Sequence, residues 1–391
     1  MDIASQTKQK DNKALVYCFY YAFFINGMLA TMMGSILPMM QEQYGLSYGV
    51  SGMLLSAHSV GNLIASFIAG VLPIYLGRKK SIMILSFFTF IGFTVMTLFG
   101  NPIILIACFF SIGIGRGSVS NISNVVVAEV SEKKEKSLNM LHSIFAIGAF
   151  VAPFVALAAT TKDIRGWKIG ALVIAALCIG LQVVFFRSHL SGEPLKKKEV
   201  SGKSYAFIKN KKFLISVGII FFYLCAETTI NGWLITYLKD TGVMSAQYAQ
   251  VMASLLWLII MIGRIICAYL SQRVNRKYML IVTTIGMAIC FVGLISTQNI
   301  VWITMAIIGL GLFMAGIYPT TIANIGNIVT EYPMAIGTIL TIGGIGSIIA
   351  PSITGMIAEN IGIQGGMTAI SVVVVLMVVC GIGNMFIKEV E

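Results

Sequence analysis

The sequence predicts an all-α membrane protein with twelve transmembrane helices in two six-helix, pseudo-symmetric halves. Three observations carry that expectation. Of 391 residues, 57% are hydrophobic and 11% charged, whereas soluble domains carry about a quarter charged residues. Apolar runs of about 20 residues or more, enough to cross a bilayer, recur from end to end. Residues also match at a constant offset of 198 positions: Arg78 and Arg276, Lys79 and Lys277, Gly113 and Gly311, Gly148 and Gly346, Pro153 and Pro351, Phe23–Phe24 and Phe221–Phe222. Such an offset, kept across several runs, implies halves related as parallel repeats.

The elements follow in order. The first span, 14–40, comes after a polar start, MDIASQTKQKDNK, with no small-residue cleavage site behind the apolar run, so no cleaved signal peptide is expected. Spans 47–74 and 81–99 flank the basic turn GVLPIYLGRKK. Spans 102–130, 137–160 and 167–187 complete a first bundle, 1–187. Residues 188–211, with SGEPLKKKEVSGKS, form a polar cytoplasmic loop, part of which can lie on the inner surface as an amphipathic helix. Spans 212–238, 247–270, 277–297, 299–329, 334–358 and 366–387 make a second bundle, 212–391, with its own basic turn, AYLSQRVNRKY. Several spans exceed the crossing length, which implies tilt. Pro73, Pro153, Pro319 and Pro351 are expected kink points. Dense glycines permit close helix approach, and none sits in the strand–turn–helix context of a nucleotide loop.

The charge of +12 reads as topology. With the N-terminus inside, the basic clusters Lys8–Lys13, Arg78–Lys80, Lys133–Lys136, the central loop, and Arg273–Lys277 all fall on one side, leaving Lys162, Arg165, Lys168 and Lys239 outside. This obeys the positive-inside rule and places both termini in the cytoplasm of a plasma membrane, a bacterial inner membrane. Nucleic acid is excluded as the partner, and membrane lipids are expected ones. The seven cysteines include no CxxC pair and read as small buried hydrophobes. The histidines His58, His142 and His189 are far apart in sequence, no metal cluster or nucleophile triad is visible, and no cofactor is expected.

One stretch concentrates the polar chemistry. In SVGIIFFYLCAETTINGWLITYL, 216–238, Tyr223, Glu227 and Asn231 recur every fourth residue and share a helix face. A carboxylate at membrane depth is costly unless it meets a cavity or a partner. Glu227 can bind hydroxyls, pair with a cation or take up a proton, or it is a structural acid. Arg116, Ser120 and Asn124 form a second stripe in span 102–130. Arg116 can pair with Glu227, clamp an anionic group, or snorkel. Asn26, Asn121, Asn124, Asn231 and Asn324 offer the donors and acceptors that sugar hydroxyls need, with interhelical bonding as the plainer use. Trp233 can stack on a sugar ring or anchor the interface. Arg264 beside the second basic turn reads as structural.

With these residues in view, the chain resembles the major facilitator superfamily. The basic turns carry that likeness: Gly70, Leu72, Gly77, Arg78 and Lys79 match its G-x-L-x-D-R-x-G-R-R/K signature, with Ile74 and Tyr75 in place of its acid and first arginine. The second turn keeps Leu270, Arg273, Arg276 and Lys277, preceded by Gly263-Arg264, with Gln272 in place of the acid. The resemblance implies a gating role for Arg78, Lys79, Arg273 and Arg276, with the loop-to-helix ion pair weakened in both halves. Across essentially the whole chain, a narrower likeness is to the fucose and glucose/galactose permeases. It rests on Tyr223, Ala226, Glu227, Gly232, Trp233 and Tyr237, on Leu138, Asn139 and His142 followed by Gly148 and Pro153, and on Gly311, Phe313, Ala315 and Pro319. His142, near the inner side, is a further gate candidate. Two carboxylates of the proton-coupled members are missing, because Gly34 and Ser120 stand at their places.

The function expected is secondary active transport of a small polar organic solute, a sugar or sugar derivative, by alternating access. No ATP-binding domain is visible, so coupling to a co-transported proton or sodium, exchange or facilitation remain open, with Glu227 as the proton-coupling candidate. The alternatives are export of amphipathic drug-like or lipid-like compounds on the same fold, and a non-transporting membrane receptor or enzyme. The expected state is a monomer.

Overall fold

The computed structural model describes residues 3–194, 206–332 and 334–387. It is all-helical there. In chain order the helices are α1 (Ile3–Tyr44), α2 (Tyr48–Leu98), α3 (Pro102–Val130), α4 (Lys134–Thr160), α5 (Trp167–Arg187), α6 (Lys211–Asp240), α7 (Ala246–Leu270), α8 (Arg276–Ile295), α9 (Ile300–Asn324), the short α10 (Gly326–Glu331) and α11 (Met334–Met385). Much of the predicted central loop, including Lys196, Lys197, Lys198 and Lys203, lies outside the described residues, as does Lys388.

Ten of the described helices are long and apolar enough to cross a membrane, where twelve separate spans were expected. The difference lies in two helices. α2 has 51 residues and α11 has 52, about 75 Å each if straight, against a hydrocarbon core of about 30 Å. Neither is straight. α2 breaks at Gly77, whose φ of 75° and ψ of 163° are non-helical. A Cβ on Gly113 of α3 would lie 2.1 Å from the His58 carbonyl oxygen, and one on Gly115 would lie 2.3 Å from the Thr89 side chain. His58 and Thr89 would be about 46 Å apart along a straight helix, so α2 doubles back. α11 does the same at Ile361–Gly362, where Gly362 has φ 79°, because Gly366 packs against the Thr354 carbonyl. The breaks fall at glycines that reach the left-handed region, while the helices run on through Pro38, Pro73, Pro153, Pro319 and Pro351.

The chain divides into two compact units, Met1–Leu46 with Ala57–Lys198, and Ser47–Ser56 with Glu199–Glu391. Each has an apolar interior. Phe19, Phe23, Phe109, Trp167 and Phe185 are fully buried in the first, and Phe207, Phe213, Trp233, Tyr237 and Phe291 in the second. Many large apolar side chains instead face outward, as surfaces solvated by lipid do.

The sequence repeat reappears as repeated contacts. Gly113 meets the His58 carbonyl, and Gly311 meets the carbonyl of Leu256, 198 positions on. Gly148 meets the Phe24 carbonyl, and Gly346 that of Phe221, one residue short of the exact offset. Asn101 and Asn299, also 198 apart, cap α3 and α9 by accepting backbone N–H bonds. Such caps typically stabilise a helix by ~1 kcal/mol.

The end of the central segment is tied down. A 3-10 turn, Ala206–Lys209, buries Phe207 against Phe213 and Tyr332. That turn packs into the second unit with Ile220, Ile325, Ala335 and Ile339. No long amphipathic helix occupies the part of this segment that is described.

Candidate functional site

Glu227 stands on α6 with one helical turn on either side contributing to its surroundings. The Tyr223 hydroxyl donates to Glu227 Oε1 at 2.9 Å. Spacing of four residues makes this contact possible within one helix. The positive charge of Arg264, on α7, acts on the same phenol, and the Glu227 charge acts on Tyr318 of α9. Three helices of the second unit therefore bring one carboxylate, one guanidinium and a second phenol into electrostatic reach of Tyr223. Glu227 and Arg264 are half-buried and Tyr223 is buried.

Arg264 and Tyr318 were not among the predicted site residues. The sequence reading of Arg264 as structural rests on its place just before the second basic turn, paired with Gly263. The turn starts only after Leu270, so Arg264 sits inside the span. Its distance of six residues from the helix end, about 9 Å, was the available signal.

Asn231 continues the same face of α6. Its side-chain oxygen is buried with no hydrogen-bond partner among the described residues. Trp233 is fully buried rather than at an interface. Its indole N–H donates to the Pro351 carbonyl at 3.2 Å, and its ring packs near Tyr48. Asn324 donates to Asn384 at 3.0 Å between buried side chains, so its amide serves a helix–helix bond.

In the first unit, Arg116 is half-buried on α3 and acts electrostatically on His58 of α2. His58 is 8% exposed, and its Nε2 has no hydrogen-bond partner among the described residues. His58 was not singled out in the sequence, although Asn62, four positions on, shares its helix face and was the available signal. Gly113 and Gly117 let α3 approach the backbone of α2 at His58 and Asn62, which sets Arg116 beside this histidine. Asn121 donates to the Ser66 carbonyl at 3.1 Å and Asn124 to the Ser120 carbonyl at 2.8 Å. Asn26 is 1% exposed, with its oxygen buried and lacking a partner among the described residues.

The basic turns differ between the units. Arg78 binds both carboxylate oxygens of Glu129. The expectation of a weakened ion pair in both halves is thereby corrected for the first: the acid missing from the turn is supplied by α3. Arg276 instead donates to the Ala323 carbonyl at 3.0 Å, and Asn327 occupies the position equivalent to Glu129. Lys79 donates to the Ser188 carbonyl at 3.0 Å, and Lys277 to that of Ile387 at 2.5 Å. Each lysine thus satisfies a carbonyl just past the end of a bundle's last helix. Arg273 lies over the Tyr269 ring at 4.5 Å. His142 is exposed, edge-on to Phe23.

No group of three or more His, Cys, Asp or Glu placed to hold a metal occurs among the described residues. Two cavities, of about 510 and 460 Å³, lie at helix ends and include neither Glu227 nor Arg116.

Comparison with known proteins adds three findings. The family model described as Major Facilitator Superfamily matches residues 19–312 and 217–390. A Protein TsgA homolog of Yersinia pestis (strain Pestoides F) is 22% identical over 388 residues, covering 96% of each chain. Among solved structures, the nucleoside transporter NupG (D323A mutant) superposes with a TM-score of 0.80 at 14% identity, covering 95% of this chain and 99% of that one. A D-xylose-proton symporter does so with a TM-score of 0.81 at 14% identity, covering 97% and 98%. These matched structures are transporters, not enzymes, and the chain is a multi-pass membrane protein of their fold.

Proposed function

Because this chain belongs to the Major Facilitator Superfamily, we propose that it is a secondary transporter carrying a small polar organic solute, a sugar or sugar derivative, by alternating access. The observation that carries this reading is the Glu227 cluster. A carboxylate held by Tyr223, beside Arg264 and Tyr318, offers acceptors and donors on three helices of one unit. Polyhydroxylated solutes need such mixed hydrogen bonding in an otherwise apolar surround. The fold shared with a D-xylose-proton symporter and a nucleoside transporter supports the same class.

In this reading Glu227, Tyr223, Asn231, Asn26, Asn121, Asn124, Arg116, Trp233 and Asn324 are the substrate-contacting residues, with Trp233 and Asn324 also bonded to Pro351 and Asn384. Glu227 is also the proton-coupling group. Arg78, Lys79, Arg273, Arg276 and His142 belong to the gates. The doubled-back helices α2 and α11 each cross twice, making twelve crossings in bundles 1–187 and 212–391 joined by 188–211. Both termini face the cytoplasm of a bacterial inner membrane, and the chain works as a monomer. Within the superfamily, the pattern around Tyr223, Glu227 and Trp233 supports a reading as a relative of the fucose and glucose/galactose permeases.

Proteoliposome uptake tests this. A panel of neutral sugars, acidic sugars and nucleosides is offered under an imposed proton gradient. Accumulation of at least one sugar supports the proposal, and Glu227→Gln then abolishes accumulation while sparing exchange. A panel that binds but shows neither flux nor exchange under any gradient sinks transport. Unchanged accumulation in Glu227→Gln removes the coupling role alone.

A further inference from the structure

A cavity of about 510 Å³ opens in the first unit where the start of α1 meets the junction of α3 and α4. Its lining includes Lys13, Lys133 and Lys136, with Glu132 as the acid among the lining residues. Among the described lining residues, three ammonium groups stand against one carboxylate. The cavity also meets the N-terminus of α4, whose N-cap residue Lys133 makes no side-chain capping hydrogen bond. Unsatisfied N–H groups and the helix dipole both favour an anion there. Ser131 lines the same hollow, and its hydroxyl is buried without a hydrogen-bond partner among the described residues.

The wall on the α1 side has a different character. Tyr17 is 69% exposed and stands edge-on to Tyr20, whose hydroxyl donates to the Ser137 carbonyl. Tyrosines of this kind sit at the headgroup level of a bilayer, with the ring toward the acyl chains. The cavity therefore pairs a cationic pocket with an amphipathic aromatic wall, at the end of two membrane helices. Nothing in it serves the Glu227 cluster.

We propose that this cavity is a binding site for a phosphate ester, filled by the headgroup of an anionic glycerophospholipid. The phosphate sits among Lys13, Lys133 and Lys136 at the start of α4, with Ser131 as a further donor. Tyr17 covers the glycerol and the first part of the acyl chains. Free inorganic phosphate shares the anionic chemistry but gains nothing from Tyr17.

The test uses the purified full chain in an uncharged detergent, titrated with short-chain phosphatidylglycerol, short-chain phosphatidylcholine of the same length, or inorganic phosphate. Phosphatidylglycerol binds more tightly than phosphatidylcholine. Lys133→Gln with Lys136→Gln weakens it about twenty-five-fold, at roughly fivefold per lysine. Lys209→Gln with Lys211→Gln, an equal loss of exposed charge elsewhere, leaves binding within about twofold. Tyr17→Ala weakens the lipid and spares inorganic phosphate. Binding of inorganic phosphate alone, lost in the Lys133/Lys136 variant, keeps the site and assigns it to a soluble phosphate. Equal losses in the two double variants, equal binding of the two lipids without phosphate binding, or no binding of any probe overturns the proposal. Circular dichroism of each variant confirms that the helices are intact, and rising salt weakens binding to the unsubstituted chain if the contact is ionic.

Discussion

The Arg78 guanidinium grips both carboxylate oxygens of Glu129, at 2.5 and 2.8 Å, across 51 positions of sequence. The side chains are 18% and 51% exposed. Water therefore screens the pair, and its worth to stability is about 0.5–1 kcal/mol. Its counterpart Arg276 has a backbone carbonyl as partner instead. Glu129→Gln should lower the thermal midpoint by only a few degrees, while changing the transport rate. Asn327→Glu, which places an acid at the equivalent position, should change rate in the opposite sense. Unfolding in detergent and initial uptake rates check both, and a rate insensitive to either change argues against gating by this pair.

Gly77 and Gly362 both have positive φ, but in different surroundings. A Cβ on Gly77 would lie 2.2 Å from the Gly192 carbonyl oxygen, whereas one on Gly362 meets nothing within 4 Å. Gly362→Ala should cost only the backbone conformation, a positive φ with extended ψ open almost solely to glycine, about 1–3 kcal/mol. Gly77→Ala should cost that and a backbone shift, about 2–5 kcal/mol in total. Thermal unfolding of the two variants, side by side, measures the difference. Equal losses would mean that the Gly192 contact is not held.

Arg264 and Glu227 share the surroundings of Tyr223. Removing one charge leaves the other in a low-dielectric interior without its neighbour, a loss of about 3–5 kcal/mol where the pair is fully buried. These two are half-buried, so Arg264→Gln should cost about 1–3 kcal/mol. The double variant with Glu227→Gln should recover part of this loss. A double-mutant cycle on unfolding should give a coupling of about 0.5–3 kcal/mol. Additive losses would separate the two residues energetically.

Helix contact at Gly113 is closer than at its repeat partner Gly311. The added Cβ would stand 2.1 Å from a backbone oxygen at Gly113, but 2.8 Å from Ile259 Cβ and 2.9 Å from the Leu256 carbonyl oxygen at Gly311. Neither clash is relieved by side-chain rotation, so both helices must shift, by less at Gly311. Gly113→Ala should therefore destabilise by about 1–3 kcal/mol and move Arg116 relative to His58, with Gly311→Ala at the lower end of that range. The ranking of the two midpoints is the check.

The class of the protein was legible in the chain because membrane solvation acts on composition and run length, which are properties of a sequence. The repeat was legible for a related reason: contacts such as Gly113 with His58 and Gly311 with Leu256 recur at the offset already visible in the residues. Glu227 stood out because an acid within an apolar run has no cheap explanation. What surrounds it did not, since Arg264 and Tyr318 lie 37 and 91 positions away and only helix packing brings them to Tyr223. The same limit applied to Glu129, which replaces a missing acid from another helix, and to the turns at Gly77 and Ile361–Gly362, where a single break takes the place of a loop. Hydrophobic pattern determines which segments enter the membrane. Which polar side chains then meet is decided by close contacts between helices, and those depend on residues distant in sequence.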